Sequence, residues 1–333
     1  MKTTEVVQAW GKVLSGHKPS LSIEITKQCP LRCPGCYAYA DGHVAPERNL
    51  RDLTDRKNDA LISGVLALVD EHRPLHLSIV GGDPLVRFRE LSILLPELEK
   101  RRIFVQIVTS AFREIPMEWA SMDRLGIVVS IDGLQPEHDV RRKPATYDRV
   151  LKNISGHRIT VHCTITAQMM VRPSYLEEFL QFWTPKEEVG KVWMSMFTPQ
   201  RGEVAAEILS PAQRARCIAE LRRLRIAYPK LDMYDAQIME FADPPASPKD
   251  CIFAQTTTVI AADLKTQITP CQLGGNPDCS QCGCVASMGL AAVGHYNLGL
   301  GLTAGQVFHL SNEAGAQIRK LRVRSRARDS RLV

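Results

Sequence analysis

Cys29, Cys33 and Cys36 stand in the run Cys-Pro-Leu-Arg-Cys-Pro-Gly-Cys, a Cys-x3-Cys-x2-Cys spacing. Three thiolates this close together satisfy three irons of a [4Fe-4S] cube and leave the fourth iron open to a small molecule. A zinc ion would call for a fourth Cys or His, and the nearest histidine, His43, lies beyond the compact loop. A second group, Cys251, Cys271, Cys279, Cys282 and Cys284, supplies five thiols. That is enough for one complete cube with one cysteine spare, although four-cysteine zinc sites use similar pairs. Cys163 and Cys217 stand alone on apolar segments and read as small buried hydrophobes.

Polar motifs accompany the first group. Gly81-Gly82-Asp83-Pro84 offers a turn whose glycines let backbone approach a ligand with no Cβ in the way. Ser130-Ile131-Asp132-Gly133 is followed by His138, Asp139, Arg141 and Arg142, and the forked guanidinium is suited to a carboxylate. Glu24 lies in a strand otherwise rich in apolar residues, so its carboxylate either faces a wet lumen or is paired.

The elements that must position these residues can be read from periodicity. LSIEIT (21–26) alternates and ends at the first cysteine loop, and residues 57–72 place Leu61, Ile62, Val65, Leu66 and Val69 at helical spacing. LHLSIV (75–80), IFVQIV (103–108), GIVVSI (126–131), RITVHCTIT and KVWMSMF read as further strands, with helical segments between them. Ser210 and Pro211 mark a helix start as N-cap and first-turn residue. Six successive βα units imply a parallel sheet with right-handed crossovers, an α/β fold of partial (β/α)6 TIM-like barrel type. The expected organisation is a barrel over 1–228 with an N-terminal helix at 4–15, a Pro-rich linker over 229–250 and a cysteine-rich region over 251–300. A C-terminal helix and basic tail follow over 301–333. Within the third unit, TTTVIAADLKTQITP reads as a small β-hairpin with Cys251 and Cys271 at its two ends. Such a hairpin is too small for its own core and needs a metal or docking on the barrel.

Composition sets the boundaries. A chain of 333 residues with 44% apolar content buries a large core and is not disordered. The net charge of +6 is accounted for by residues 319–333, where seven Arg or Lys face one Asp. A tail of this kind reads as a solvated end, so nucleic acid is not the expected partner. No apolar stretch is long enough for a transmembrane segment, and the N-terminus carries no secretory signal. A cytoplasmic location is expected, where clustered thiols bind metal far more often than they form disulfides.

With its cysteine loop directly after the first strand, the chain resembles the radical S-adenosylmethionine (SAM) superfamily over roughly residues 20–200. The resemblance implies a [4Fe-4S] cluster on Cys29, Cys33 and Cys36 whose open iron is chelated by SAM. The reduced cluster cleaves SAM to a 5'-deoxyadenosyl radical that modifies a small-molecule, lipid or peptide substrate. A reductant such as flavodoxin or ferredoxin supplies the electron. By the same resemblance, Gly81, Gly82, Asp83 and Pro84 match the motif that binds the SAM amino group. Ser130, Asp132 and Arg142 match the stretch whose Ser and Arg reach the SAM carboxylate, and Thr109 and Ser110 match a pair near the ribose. Many members carry an aromatic residue just before the third cysteine, where this chain has Gly35, which leaves Tyr37 or Tyr39 to cover the adenine. The second cysteine group resembles the twitch and SPASM extensions and implies an auxiliary [4Fe-4S] cluster on Cys251, Cys271, Cys279, Cys282 and Cys284. The rival readings are an RNA-modifying radical SAM enzyme that exploits the basic tail, and a non-catalytic iron-sulfur or zinc sensor.

Overall fold

The computed structural model describes residues 3–144 and 146–329, with side chains described for 6–144 and 146–320. Most of the basic tail at 319–333 therefore lies outside the described side chains. Seven strands form one sheet: β1 (Ser20–Glu24), β2 (His76–Val80), β3 (Phe104–Thr109), β4 (Leu125–Ser130), β5 (Ile159–Ile165), β6 (Val189–Met196) and β7 (Thr257–Ile260). Their order is β6-β5-β4-β3-β2-β1-β7, every pairing is parallel, and the two ends of the sheet do not meet, which leaves a partial barrel. The first arm of the expected hairpin thus joins the main sheet beside β1 as a seventh strand. Its second arm only brushes the first, through the Ile260–Gln267 bridge.

Helix α1 (Thr3–Leu14) precedes the sheet, and α2 (Asn58–His72), α3 (Phe88–Lys100), α4 (Gln135–Arg141), α5 (Tyr147–Asn153) and α6 (Tyr175–Trp183) connect its strands. After β6 come α7 (Pro211–Ala227), α8 (Asp235–Met239) and α9 (Ile252–Thr256). Beyond β7 follow α10 (Val285–Gly294), the small pair β8 (Asn297–Gly299) and β9 (Leu302–Thr303), and the long α11 (Ala304–Asp329). Local chemistry explains several boundaries. Ser210 caps α7 in a reciprocal capping box with Gln213, with Pro211 in the first turn. In α2, Leu61, Val65 and Val69 recur every four residues and are buried against the sheet. The segment expected as a linker contains α8, and its Ile238 and Phe241 are fully buried in the main core.

The strands carry the information that matters for a site. On β1, Leu21, Ile23 and the following Ile25 join the core under the helices, so Ser22 and Glu24 point to the opposite, concave face. The same alternation places Ser78, Gln106, Ser130, His162, Thr164 and Ser195 on that face, because β-partners in register share a side. Parallel strands buried on both faces read as continuous apolar runs. Here one face is apolar and the other is a polar lumen. No helix among the described residues is long and apolar enough to cross a membrane.

Candidate functional site

The loop after β1 gathers Cys29, Cys33 and Cys36, all half-buried, at the C-terminal end of the strands. Burial raises the pKa of each thiol, that of Cys29 to about 12, and the neighbouring cysteines reinforce the effect on Cys29 and Cys36. Bare thiols here are therefore neutral, and a bound cationic centre reverses that preference by coordinating them as thiolates. Cys33 is also under the influence of Arg142, Asp132, Arg141 and Asp83, which places the SAM-motif residues beside the loop.

Each motif has a definite structural job. Asp83 is fully enclosed, and its carboxylate accepts from Thr109 Oγ1 at 2.7 Å, Ser110 N at 2.8 Å, Ser110 Oγ at 2.6 Å and Leu85 N at 3.0 Å. Four donors match the four lone-pair sites of a carboxylate. Asp83, Thr109 and Ser110 thus form one knot that ties the Gly81–Pro84 turn to the end of β3. Gly81 sits at φ +127° against Thr26 O, and a Cβ on Gly82 would lie 2.1 Å from Gln28 O, so this turn needs both glycines to close on the cysteine loop.

Asp132 is buried and holds two arginines at once, with Arg141 Nε at 2.9 Å and Arg142 Nε at 2.8 Å donating to Oδ2, while Thr164 N donates to Oδ1 at 3.1 Å. The two guanidiniums outweigh burial and hold its carboxyl well below the usual carboxylate range. Arg141 continues to Glu207 Oε1 at 3.3 Å. Among the described residues Arg142 bonds through Nε alone, which leaves its terminal nitrogens available to an incoming carboxylate beside Cys33 and Cys36. Ser130, at the end of β4, stands in register with His162 of β5 on the lumen face. Enclosure pushes the His162 pKa down to about 4, and its Nε2 lies 2.8 Å from Ser195 Oγ.

The aromatic neighbourhood differs from the expectation. Tyr37 accepts a hydrogen bond from Gln272 Nε2 at 3.2 Å and its ring leans on His43 at 5.5 Å, so it faces the second cysteine region. Tyr39 donates to Lys27 O at 3.0 Å beneath the Arg51 guanidinium. The ring that abuts Gly35 is Phe197, just past β6, and a Cβ on Gly35 would stand 2.7 Å from its Cε2. Phe197 escapes sequence reasoning because only the curvature of the sheet brings the end of β6 to the loop. The lumen residues His162, Gln106 and Ser195 were also missed, and their signal is the polar residue at every second position of strands in a parallel sheet.

The second group is docked on the barrel. Residues 276–285 run along 196–201: Met196 N donates to Gly283 O at 2.9 Å, Asp278 N to Pro199 O at 2.8 Å and Gly283 N to Thr198 Oγ1 at 2.8 Å. Arg214 of α7 clamps the loop from the side through the carbonyls of Gln281 and Cys282. Burial raises the thiol pKa of Cys271 to about 12, and raises those of Cys279, Cys282 and Cys284, each with other cysteines of the group as neighbours. Cys251 Sγ lies 3.1 Å from Ser287 Oγ, and Cys284 caps α10, where backbone N–H groups favour a thiolate. No three described Cys, His, Asp or Glu side chains are gathered closely enough to hold a single metal ion. A cavity of about 700 Å³ lined by Lys12, Arg73, Arg102 and Arg124 opens at the other end of the strands, away from every cysteine of both groups.

Residues 23–181 match the family model of the Radical SAM superfamily. No curated protein matches the sequence. Among solved structures, Streptococcus suis SuiB bound to precursor peptide SuiA is similar at 16% identity and a TM-score of 0.57, over 81% of this chain and 63% of that one. SuiB bound to S-adenosylmethionine gives 14% identity and a TM-score of 0.53, over 78% of this chain and 60% of that one. Native anSMEcpe with bound AdoMet and Kp18Cys peptide gives 14% identity and a TM-score of 0.53, over 81% of this chain and 80% of that one. The chain thus spans less than two thirds of SuiB, and at these identities the likeness is one of fold.

Proposed function

We propose that this chain, which carries a radical SAM domain over residues 23–181, cleaves SAM reductively at a [4Fe-4S] cluster held by Cys29, Cys33 and Cys36 and modifies a peptide. The observation that carries this reading is the convergence of three half-buried thiols, the Gly81–Pro84 turn and the terminal nitrogens of Arg142 at one mouth of the sheet. When bound, the cluster supplies the electron that releases a 5'-deoxyadenosyl radical from SAM. The chain's own residues bind and orient. Arg142, held by Asp132, presents its terminal nitrogens to the SAM carboxylate, with Ser130 beside it. Asp83, Thr109 and Ser110 fix the turn whose Gly81 and Gly82 backbone lies against the cofactor, and Phe197 supplies the aromatic face that residue 35 lacks.

The second cysteine group holds an auxiliary [4Fe-4S] cluster in this reading. Its five cysteines supply the four thiolates of a complete cube with one to spare. A peptide is favoured over a small molecule or lipid because the similar folds of SuiB and anSMEcpe were solved with peptides bound. A low-potential reductant such as flavodoxin or ferredoxin completes the system. The test is anaerobic: reconstituted protein with a strong reductant should release 5'-deoxyadenosine from SAM, and Cys33→Ala should abolish it. Undiminished release in that variant would refute the assignment.

A further inference from the structure

Three buried side-chain oxygens on one face of neighbouring strands, Ser22 Oγ, Glu24 Oε2 and Thr257 Oγ1, have no hydrogen-bond partner among the described residues. Ser22 and Glu24 are two apart on β1 and share its concave face. Ser20 pairs with Thr257 and Ser22 with Val259, so Thr257 lies on that same face, diagonal to Ser22. Buried polar atoms without partners are rare, and three in a row on one wall are the environment that an ordered internal water occupies.

The row ends on a group that can hold a proton. Glu24 Oε1 lies 2.8 Å from His43 Nε2, with both side chains inaccessible to solvent. The other ring nitrogen, His43 Nδ1, is 3.1 Å from the carbonyl of Leu273. A carbonyl only accepts, so Nδ1 carries a hydrogen, and this assigns the tautomer. The single proton between Nε2 and Oε1 then belongs to either partner. Burial favours a neutral Glu24, while the contact with Glu24 favours a charged His43. Tyr37 leans on His43 and Tyr39 also lies within the field of Glu24, and burial keeps both phenols protonated. Glu24 also stands at the mouth of the sheet next to the cysteine loop, and Leu273 belongs to the second cysteine region, so the pair lies between the two.

We propose that Glu24 and His43 form an internal proton-holding pair, served by water ordered at Ser22 and Thr257, that takes up a proton delivered through the lumen. The step moves one proton and no electron: an O–H bond of the intervening hydronium or water breaks as one forms at Glu24 Oε2, and the shared proton shifts toward His43 Nε2. Glu24 and His43 are positioning residues here, acting through water.

The test uses the holo-protein labelled with ¹⁵N at histidine, and needs no substrate. His43 should show a proton on Nδ1 and a second, strongly deshielded proton at Nε2, and Glu24→Gln should move the Nε2 signal while leaving Nδ1–H in place. Exchange of the Nε2 proton with solvent deuterium should slow at least about tenfold in Ser22→Val and Thr257→Val, since each removes a hydroxyl that holds the water and Ser22→Val also fills its space. A crystal structure should show water bonded to Ser22 Oγ and Glu24 Oε2. Exchange rates unchanged in both valine variants, or a dry wall at Ser22, would overturn the proposal. Release of 5'-deoxyadenosine is measured separately, so failure here is distinguishable from failure of the radical SAM assignment.

Discussion

Replacing Asp132 by Asn changes few atoms yet removes the charge on which two arginines converge. In the folded chain, Oδ2 accepts from Arg141 Nε and Arg142 Nε, and Oδ1 accepts from Thr164 N. An asparagine must choose. With its oxygen toward the arginines, its NH2 meets the Thr164 N–H; with the amide reversed, its NH2 meets two guanidiniums. Either orientation leaves buried donors facing donors, and breaking a buried pair in this way costs about 3–5 kcal/mol. Arg141 retains Glu207, which places the expected loss near the lower end, about 3 kcal/mol. Urea unfolding at pH 7 reads this directly as a fall in the midpoint at constant slope.

The pH dependence has a definite sign. The folded pKa of Asp132 lies below its unfolded value near 3.9, so its contribution is complete above about pH 5 and fades as the pH falls through and below that value. The gap between wild type and Asp132→Asn should be flat from about pH 5 to 8 and should narrow only in acid. A gap below about 1 kcal/mol at pH 7, the size of a surface ion pair, would refute the description of Asp132 as a buried double acceptor. SAM affinity should fall along with stability, because Arg142 loses its anchor.

Further substitutions probe the loops around the two cysteine groups. Gly35→Ala should destabilise by about 1–2 kcal/mol for the left-handed backbone alone, at φ +61°, with added strain against Phe197; combining it with Phe197→Leu should recover only the steric part in thermal unfolding. Gly283→Ala would set a Cβ 2.0 Å from Met196 O and should cost about 1–3 kcal/mol while loosening the second cysteine loop, seen as lower iron content per chain with the first group's iron retained.

Much of this could be read from the residues. The strand assignments rest on strong alternation, and the loop after β1 carries its chemistry in its spacing. Asp132 and Arg142 could be singled out because they stand in one short polar stretch after β4, on either side of α4. What could not be read depends on the curvature and strand order of the sheet. TTVI at 257–260 has the same alternation whether it pairs in a hairpin or beside β1, and only the groove next to β1 decides. Phe197 is far in sequence from Gly35, and nothing local marks it. Glu24 could be seen to need either water or a partner, but its partner His43 lies in an irregular loop with no periodicity to orient it. Asp83 was legible as a motif residue, while its four donors come largely from the end of β3, which fixes it as the organiser of the turn.

The most direct measurement is spin resonance of the reduced protein, with and without SAM, in wild type and in the variant with Cys29, Cys33 and Cys36 all replaced by Ala. Wild type should hold about eight irons and show one signal that SAM perturbs; the variant should keep about four irons and a signal that SAM leaves unmoved. A variant signal that still responds to SAM would contradict an open iron at Cys29, Cys33 and Cys36, and a variant holding zinc with no iron would contradict the second cluster.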